Sequence, residues 1–229
     1  MATLYTYLLI LHISAGTLSL LTFFLPMVAR KGSPLHNKSG RVYVWGMWTV
    51  VLTALLLCGV RLYQGTWVMA SFLGFLAVLT SKPLYYGIAV LRRDPAVRER
   101  GERVATVLTL LTVGLAVPLL ALGAGLLTGG VEPLALVFSI IGLTATPEAV
   151  RRARGTYAIS NRTLAHVTGM LTSAIAAFTA FFALGGRNLT EGLGGSATMI
   201  TLWVAPTVLG TMAISYFKRV YLPRQRVRG

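Results

Sequence analysis

The chain holds a single cysteine, Cys58, and only six acidic residues among 229. A lone cysteine excludes internal disulfides, thiolate metal clusters and CxxC redox pairs. The acidic residues Asp94, Glu99, Glu102, Glu132, Glu148 and Glu191 are all expected in loops or at helix ends. With no carboxylate expected near a membrane centre, proton pumping and aspartyl or di-metal carboxylate chemistry lose most of their support. No GxSxG, HExxH or P-loop pattern occurs, so nucleophilic catalysis, zinc proteolysis and nucleotide hydrolysis have no basis in the sequence. The N-terminus has no basic n-region and the first apolar run is long enough to span, which does not fit a cleavable signal peptide. Internal repeats are missing too: His12-Ile-Ser-Ala-Gly echoes His166-Val-Thr-Gly-Met too briefly to indicate inverted halves.

Charged residues make up 12% of the chain and hydrophobic residues 55%, against about 25% charged in an ordinary soluble domain. The fold expected is therefore all-α, a single polytopic transmembrane helix bundle. Apolar runs predict seven spans: Leu4–Val28, Val42–Val60, Thr66–Leu91, Val104–Leu127, Leu134–Ala149, Leu164–Leu184 and Thr198–Phe217. Most reach the ~20 residues needed to cross a ~30 Å hydrocarbon core, and the fifth is the shortest. Residues 218–229 form a basic tail.

The formal charge is +15, with Lys and Arg gathered in short clusters between the apolar runs. No basic stripe is interleaved with exposed aromatics, so nucleic acid is not an expected partner. Arg30, Lys31, Lys38 and Arg41 follow the first span; Arg92, Arg93, Arg98, Arg100 and Arg103 the third; Arg151, Arg152, Arg154 and Arg162 the fifth; Lys218, Arg219, Arg224, Arg226 and Arg228 the last. The alternate connections hold only Arg61 and Arg187. The positive-inside rule then makes the basic connections cytoplasmic, with the N-terminus outside and the C-terminus in the cytoplasm, in a cytoplasmic (inner) membrane. Trp45, Trp48, Tyr85, Tyr86 and Trp67 fit interfacial aromatic belts, while Pro83, Pro118 and Pro206 predict kinks.

Small residues recur at packing intervals, Gly169, Ser173, Ala177 and Ala180 in the sixth span and Gly16 and Ser19 in the first, and each stripe carries a histidine, His166 and His12. Both imidazoles should face the bundle interior, where they could bind a redox cofactor (haem b or a quinone) or a metal, or simply hydrogen-bond between helices. One haem held by both is disfavoured by depth: the predicted spans place them roughly 15 Å apart along the membrane normal, whereas two ligands of one iron lie within about 4 Å. His36 matches His166 better in depth. The two could bind a metal, or an anionic headgroup together with Arg30, Lys31, Lys38 and Arg41; the alternative is that His36 and Arg41 organise the first cytoplasmic loop through backbone contacts and phosphate headgroups.

His12-Ile-Ser-Ala-Gly-Thr-Leu, Arg30-Lys31-Gly32, Leu35-His36 and Gly40-Arg41-Val42-Tyr43-Val44-Trp45 resemble the bacterial membrane proteins grouped as domain of unknown function 2306. So do Leu164 to Phe182, Leu202-Trp203 and Pro206-Thr207-Val208-Leu209-Gly210. The resemblance implies a multi-pass helical fold and brings no activity with it. Many members carry a histidine after the third span, where this chain reads Arg92-Arg93-Asp94-Pro95-Ala96-Val97-Arg98-Glu99.

The leading expectation is a membrane protein binding a small ligand or cofactor through His12 and His166. The others are a non-catalytic accessory or assembly subunit with membrane-protein partners, and a small-molecule transporter. Whether the chain is an enzyme is not decided at this level.

Overall fold

The computed structural model of the protein describes residues 2–159, 161–185 and 196–222, and among these all regular structure is helical. The helices are α1 (Ala2–Val28), α2 (Pro34–Tyr63), α3 (Trp67–Ala89), α4 (Pro95–Gly123), α5 (Pro133–Leu143), α6 (Thr146–Ala153), α7 (Arg162–Ala180), a π turn (Phe181–Gly185) and α8 (Ser196–Tyr221). Five stretches, in α1 to α4 and from Arg162 to Leu184, are long and apolar enough to cross a membrane. A sixth joins them if α5 and α6, bent by 41° at their junction, are one span. The predicted seventh span lies within α8; Arg187, Glu191, Arg224, Arg226 and Arg228 lie outside the described residues.

Two helices begin earlier than hydropathy predicts, because polar caps rather than apolar onset decide where a helix starts. Ser33 caps α2, its hydroxyl accepting from the His36 backbone N–H at 3.2 Å, with Pro34 as the first helical residue. His36 and Arg41 therefore stand on α2, not in a loop. Asp94 caps α4 in the same way, accepting from Ala96 N–H at 2.8 Å ahead of Pro95. The segment from Arg98 to Arg103, expected as a connection, is thus helical, and Glu102 stands two turns inside α4.

The chain divides into two compact units, residues 1–77 and 78–229, with α3 running across the division. In the first, α1 and α2 pair antiparallel in one register. Along the pair Tyr5 meets Arg61, His12 meets Thr53, Gly16 lies against Val50, Ser19 against Gly46, and Phe23 against Tyr43. Gly46 sits so close to the Ser19 hydroxyl and the Ala15 carbonyl that a side chain there would collide. In the second unit the C-terminal part of α3 meets α7 at Gly87 and Gly169, and Gly123 of α4 meets the backbone of Leu136 in α5.

Hydroxyl-bearing side chains are buried as well as apolar ones such as Phe75 and Phe138, and many large apolar side chains face outward. Ser19, Thr109, Ser139 and Ser173 are fully buried, while Leu21, Trp45, Val28 and Leu126 are largely exposed. Each of these four hydroxyls donates to a carbonyl of its own helix: Ser19 to Ala15 (2.8 Å), Thr109 to Ala105 (2.6 Å), Ser139 to Leu136 (2.7 Å) and Ser173 to Met170 (2.9 Å). Buried hydroxyls bonded within their own helix, together with large apolar side chains on the outside, are what a lipid solvent selects. The chain is a membrane-embedded, multi-pass helical protein.

Candidate functional site

The most concentrated chemistry in the second unit is a network of charges around Arg152. Its side chain is 1% exposed, and a buried cation is tolerated only with close counter-charges. It has two. Nε donates to Glu148 Oε1 at 2.8 Å, one turn back on α6, and Nη1 to Glu102 Oε2 at 2.8 Å on α4. Lys82 of α3 closes the other side of Glu148, Nζ to Oε2 at 2.7 Å. The Tyr86 hydroxyl donates to Glu102 Oε1 at 3.0 Å. The guanidinium also stacks on Tyr157, 3.8 Å from its Cζ to the ring centroid, with the Tyr86 ring at 4.9 Å. One nitrogen, Nη2, is buried and has no hydrogen-bond partner among the described residues.

Local structure explains why these groups converge. Pro147 at the start of α6 and the bend at its junction with α5 turn a short, strongly amphipathic helix so that Ala149 and Arg152 are buried while Arg151 stays exposed. Lys82 lies seven residues before the end of α3 and Glu102 seven after the start of α4, about 10 Å from those helix ends at 1.5 Å per residue. The network therefore sits about two turns in from the α3–α4 connection, which carries Arg92 and Arg93. Beside it lies a cavity of about 460 Å³, bordered by Glu102, Thr106, Arg152, Tyr157, Arg98 and Arg162 among others.

The histidines expected to bind a cofactor have protein partners. His12 Nδ1 lies 2.8 Å from Thr53 Oγ1. That hydroxyl already donates to the Thr49 carbonyl at 2.7 Å, so His12 carries its proton on Nδ1 and donates. His166 Nδ1 lies 2.7 Å from the Gly87 carbonyl and must donate to it. Gly87 is in the last turn of α3, where carbonyls lose their helical acceptor role. Gly169 makes the contact possible: its α-carbon side faces the Pro83 carbonyl and Gly87 with no room for a Cβ. Removing the imidazole in His166→Ala leaves that carbonyl unpaired, a cost of about 1–3 kcal/mol to be read as a lower thermal midpoint in detergent.

His12 belongs to the first unit and His166 to the second, and each is held by its own neighbour. Among the described residues no group of three or more His, Cys, Asp or Glu side chains could hold a metal ion. His36 Nδ1 donates to the Pro26 carbonyl at 3.0 Å, and Lys31 Nζ reaches the carbonyls of Pro26 (2.9 Å) and Met27 (3.2 Å). Partial burial lowers the Lys31 pKa from its ordinary value. Arg41 Nε reaches the Asn37 carbonyl at 3.3 Å. His36 and Lys31 close the C-terminal end of α1.

No family model, curated protein or solved structure matches this chain.

The sequence holds two clues to the charged network. Lys82 is a cation inside an apolar run, which calls for a partner. Glu148 and Arg152 are four apart, the favourable order for a helical ion pair. Arg152 reads as one more orientation-setting arginine, and only the fold separates it from Arg151.

Proposed function

We propose that this chain is a seven-span protein of the cytoplasmic membrane, with its N-terminus outside, that binds a small polar ligand in the cavity beside Arg152. The observation that carries the reading is the buried guanidinium bordering the cavity: an arginine 1% exposed, held by two carboxylates and a tyrosine ring. A cavity of about 460 Å³ suits a small molecule. Solvent extraction of the purified protein should return a retained compound, and retention should fall in Ile159→Trp, which fills the cavity. Equal retention by both would contradict the reading.

The topology rests on the distribution of Lys and Arg. In a Cys58→Ser background, a cysteine replacing Gly130 should react with a membrane-impermeant maleimide in intact spheroplasts. One replacing Arg93 should react only after lysis. The reverse pattern would invert the proposed orientation.

A second reading keeps His12 and His166 as cofactor ligands, as in a haem b or quinone protein. It is favoured by the Nδ1 donation of both rings, the way ligating imidazoles are commonly oriented. Spectra of oxidised and dithionite-reduced protein decide it: a Soret band lost in His12→Ala or His166→Ala supports the reading, and a colourless protein excludes haem. The accessory-subunit reading loses part of its motive, because Gly169 of the small-residue stripe is already packed against α3. Kinship with the domain of unknown function 2306 group is proposed on the residues quoted above.

A further inference from the structure

The cavity has a charge pattern that specifies more than polarity. Three arginines from separate segments border it: Arg98 on α4, Arg152 on α6 and Arg162 at the start of α7. Two carboxylates border it as well, and both are engaged. Glu102 accepts from Arg152 and Tyr86, and Glu99 pairs with Arg103 at 2.8 Å. Arg98 Nη1 donates to the carbonyls of Arg92 (3.1 Å) and Arg93 (2.7 Å). Among the described residues, neither Arg98 nor Arg162 has a carboxylate partner. With three arginines against two carboxylates, the wall is cationic in net terms.

Resting on the ligand-binding reading above, we propose that the cavity binds a phosphate-bearing anion, with Arg98 and Arg162 as charge partners at its mouth and Arg152 at its inner wall. The guanidiniums of Arg98 and Arg162, which border the cavity from separate segments and have no carboxylate partner among the described residues, suit the several oxygens of a phosphoryl group. The volume exceeds that of a bare phosphate ion, leaving room for an attached group beside Tyr157 and Ile159. The same chemistry is offered by a phosphorylated small molecule or by an anionic lipid headgroup.

The test uses the full-length protein with two probes. The first is radiolabelled inorganic phosphate, added to protein in detergent. The second is the thermal midpoint of protein in nanodiscs of phosphatidylcholine with and without phosphatidic acid. Arg162→Gln alters an exposed arginine outside the buried network, so it should fold. Saturable phosphate binding, weakened about tenfold in Arg162→Gln, supports a soluble phosphorylated ligand. Stabilisation only by phosphatidic acid, lost in the same variant, supports a lipid headgroup. If neither probe acts saturably, or both act equally on wild type, Arg98→Gln and Arg162→Gln, the proposal is overturned. A retained compound without phosphorus, displaced by Ile159→Trp, would sink this assignment and leave the ligand-binding reading standing.

Discussion

Arg152→Met should destabilise the detergent-solubilised protein by about 3–5 kcal/mol, the usual cost of removing one partner from a buried ion pair. The loss follows from what remains behind. Glu102 keeps only the Tyr86 hydroxyl among its described partners, and Glu148 keeps Lys82 alone. Arg152→Lys should rescue only part of the loss, since a single ammonium cannot reach carboxylates on α4 and α6 at once while stacking on Tyr157. The neighbouring Arg151 is exposed, so Arg151→Met should stay within about 0.5 kcal/mol of wild type. Tryptophan-fluorescence melting of the three variants checks the contrast, and equal midpoints for Arg151→Met and Arg152→Met would refute a structural role for the network.

Gly169→Leu should carry the next largest effect, about 1–3 kcal/mol or more, as overpacking at a rigid contact. A Cβ at Gly169 would stand 2.7 Å from the Pro83 carbonyl oxygen and 2.9 Å from the Gly87 Cα. Both are backbone atoms of α3 and cannot rotate aside, so α7 must retreat from α3. That movement also draws His166 away from the Gly87 carbonyl, adding an unpaired acceptor to the steric cost. Gly114 provides the control, because nothing lies within 4 Å of a Cβ built there. Gly114→Ala should be neutral or stabilising by up to about 1 kcal/mol, since alanine favours the helix. Melting in the same detergent separates the cases, and a harmless Gly169→Leu would show that α3 and α7 do not approach as described.

Hydropathy made the membrane class and the approximate helix positions readable from sequence, since apolar runs of this length have few soluble alternatives. It placed the starts of α2 and α4 eight and nine residues too late, at Val42 and Val104 instead of Pro34 and Pro95. The reason is that Ser33-Pro34 and Asp94-Pro95 begin polar helical turns that contribute nothing to an apolar window. Small residues beside His12 and His166 correctly marked where helices press together, at Ser19 against Gly46 and at Gly169 against Gly87. The charged network was not legible, although its members were visible singly. Glu102 and Glu148 looked like helix-end carboxylates and Arg152 like a loop cation, because hydropathy sees a charge but not the charge that another helix brings to it. A span broken at Leu143 and Thr146 could not be distinguished from one straight helix ending at Ala149.

Native mass spectrometry of the intact protein in mild detergent decides whether a ligand occupies the cavity beside Arg152, with wild type and Ile159→Trp prepared in parallel. The predicted result is a discrete mass excess on the wild type that is absent or strongly reduced in the variant, while both retain the same thermal midpoint before ligand is added. A wild type with no bound mass after mild extraction, or an adduct equally abundant on Ile159→Trp, would contradict a ligand site beside Arg152 and leave the buried charges as a purely structural clamp.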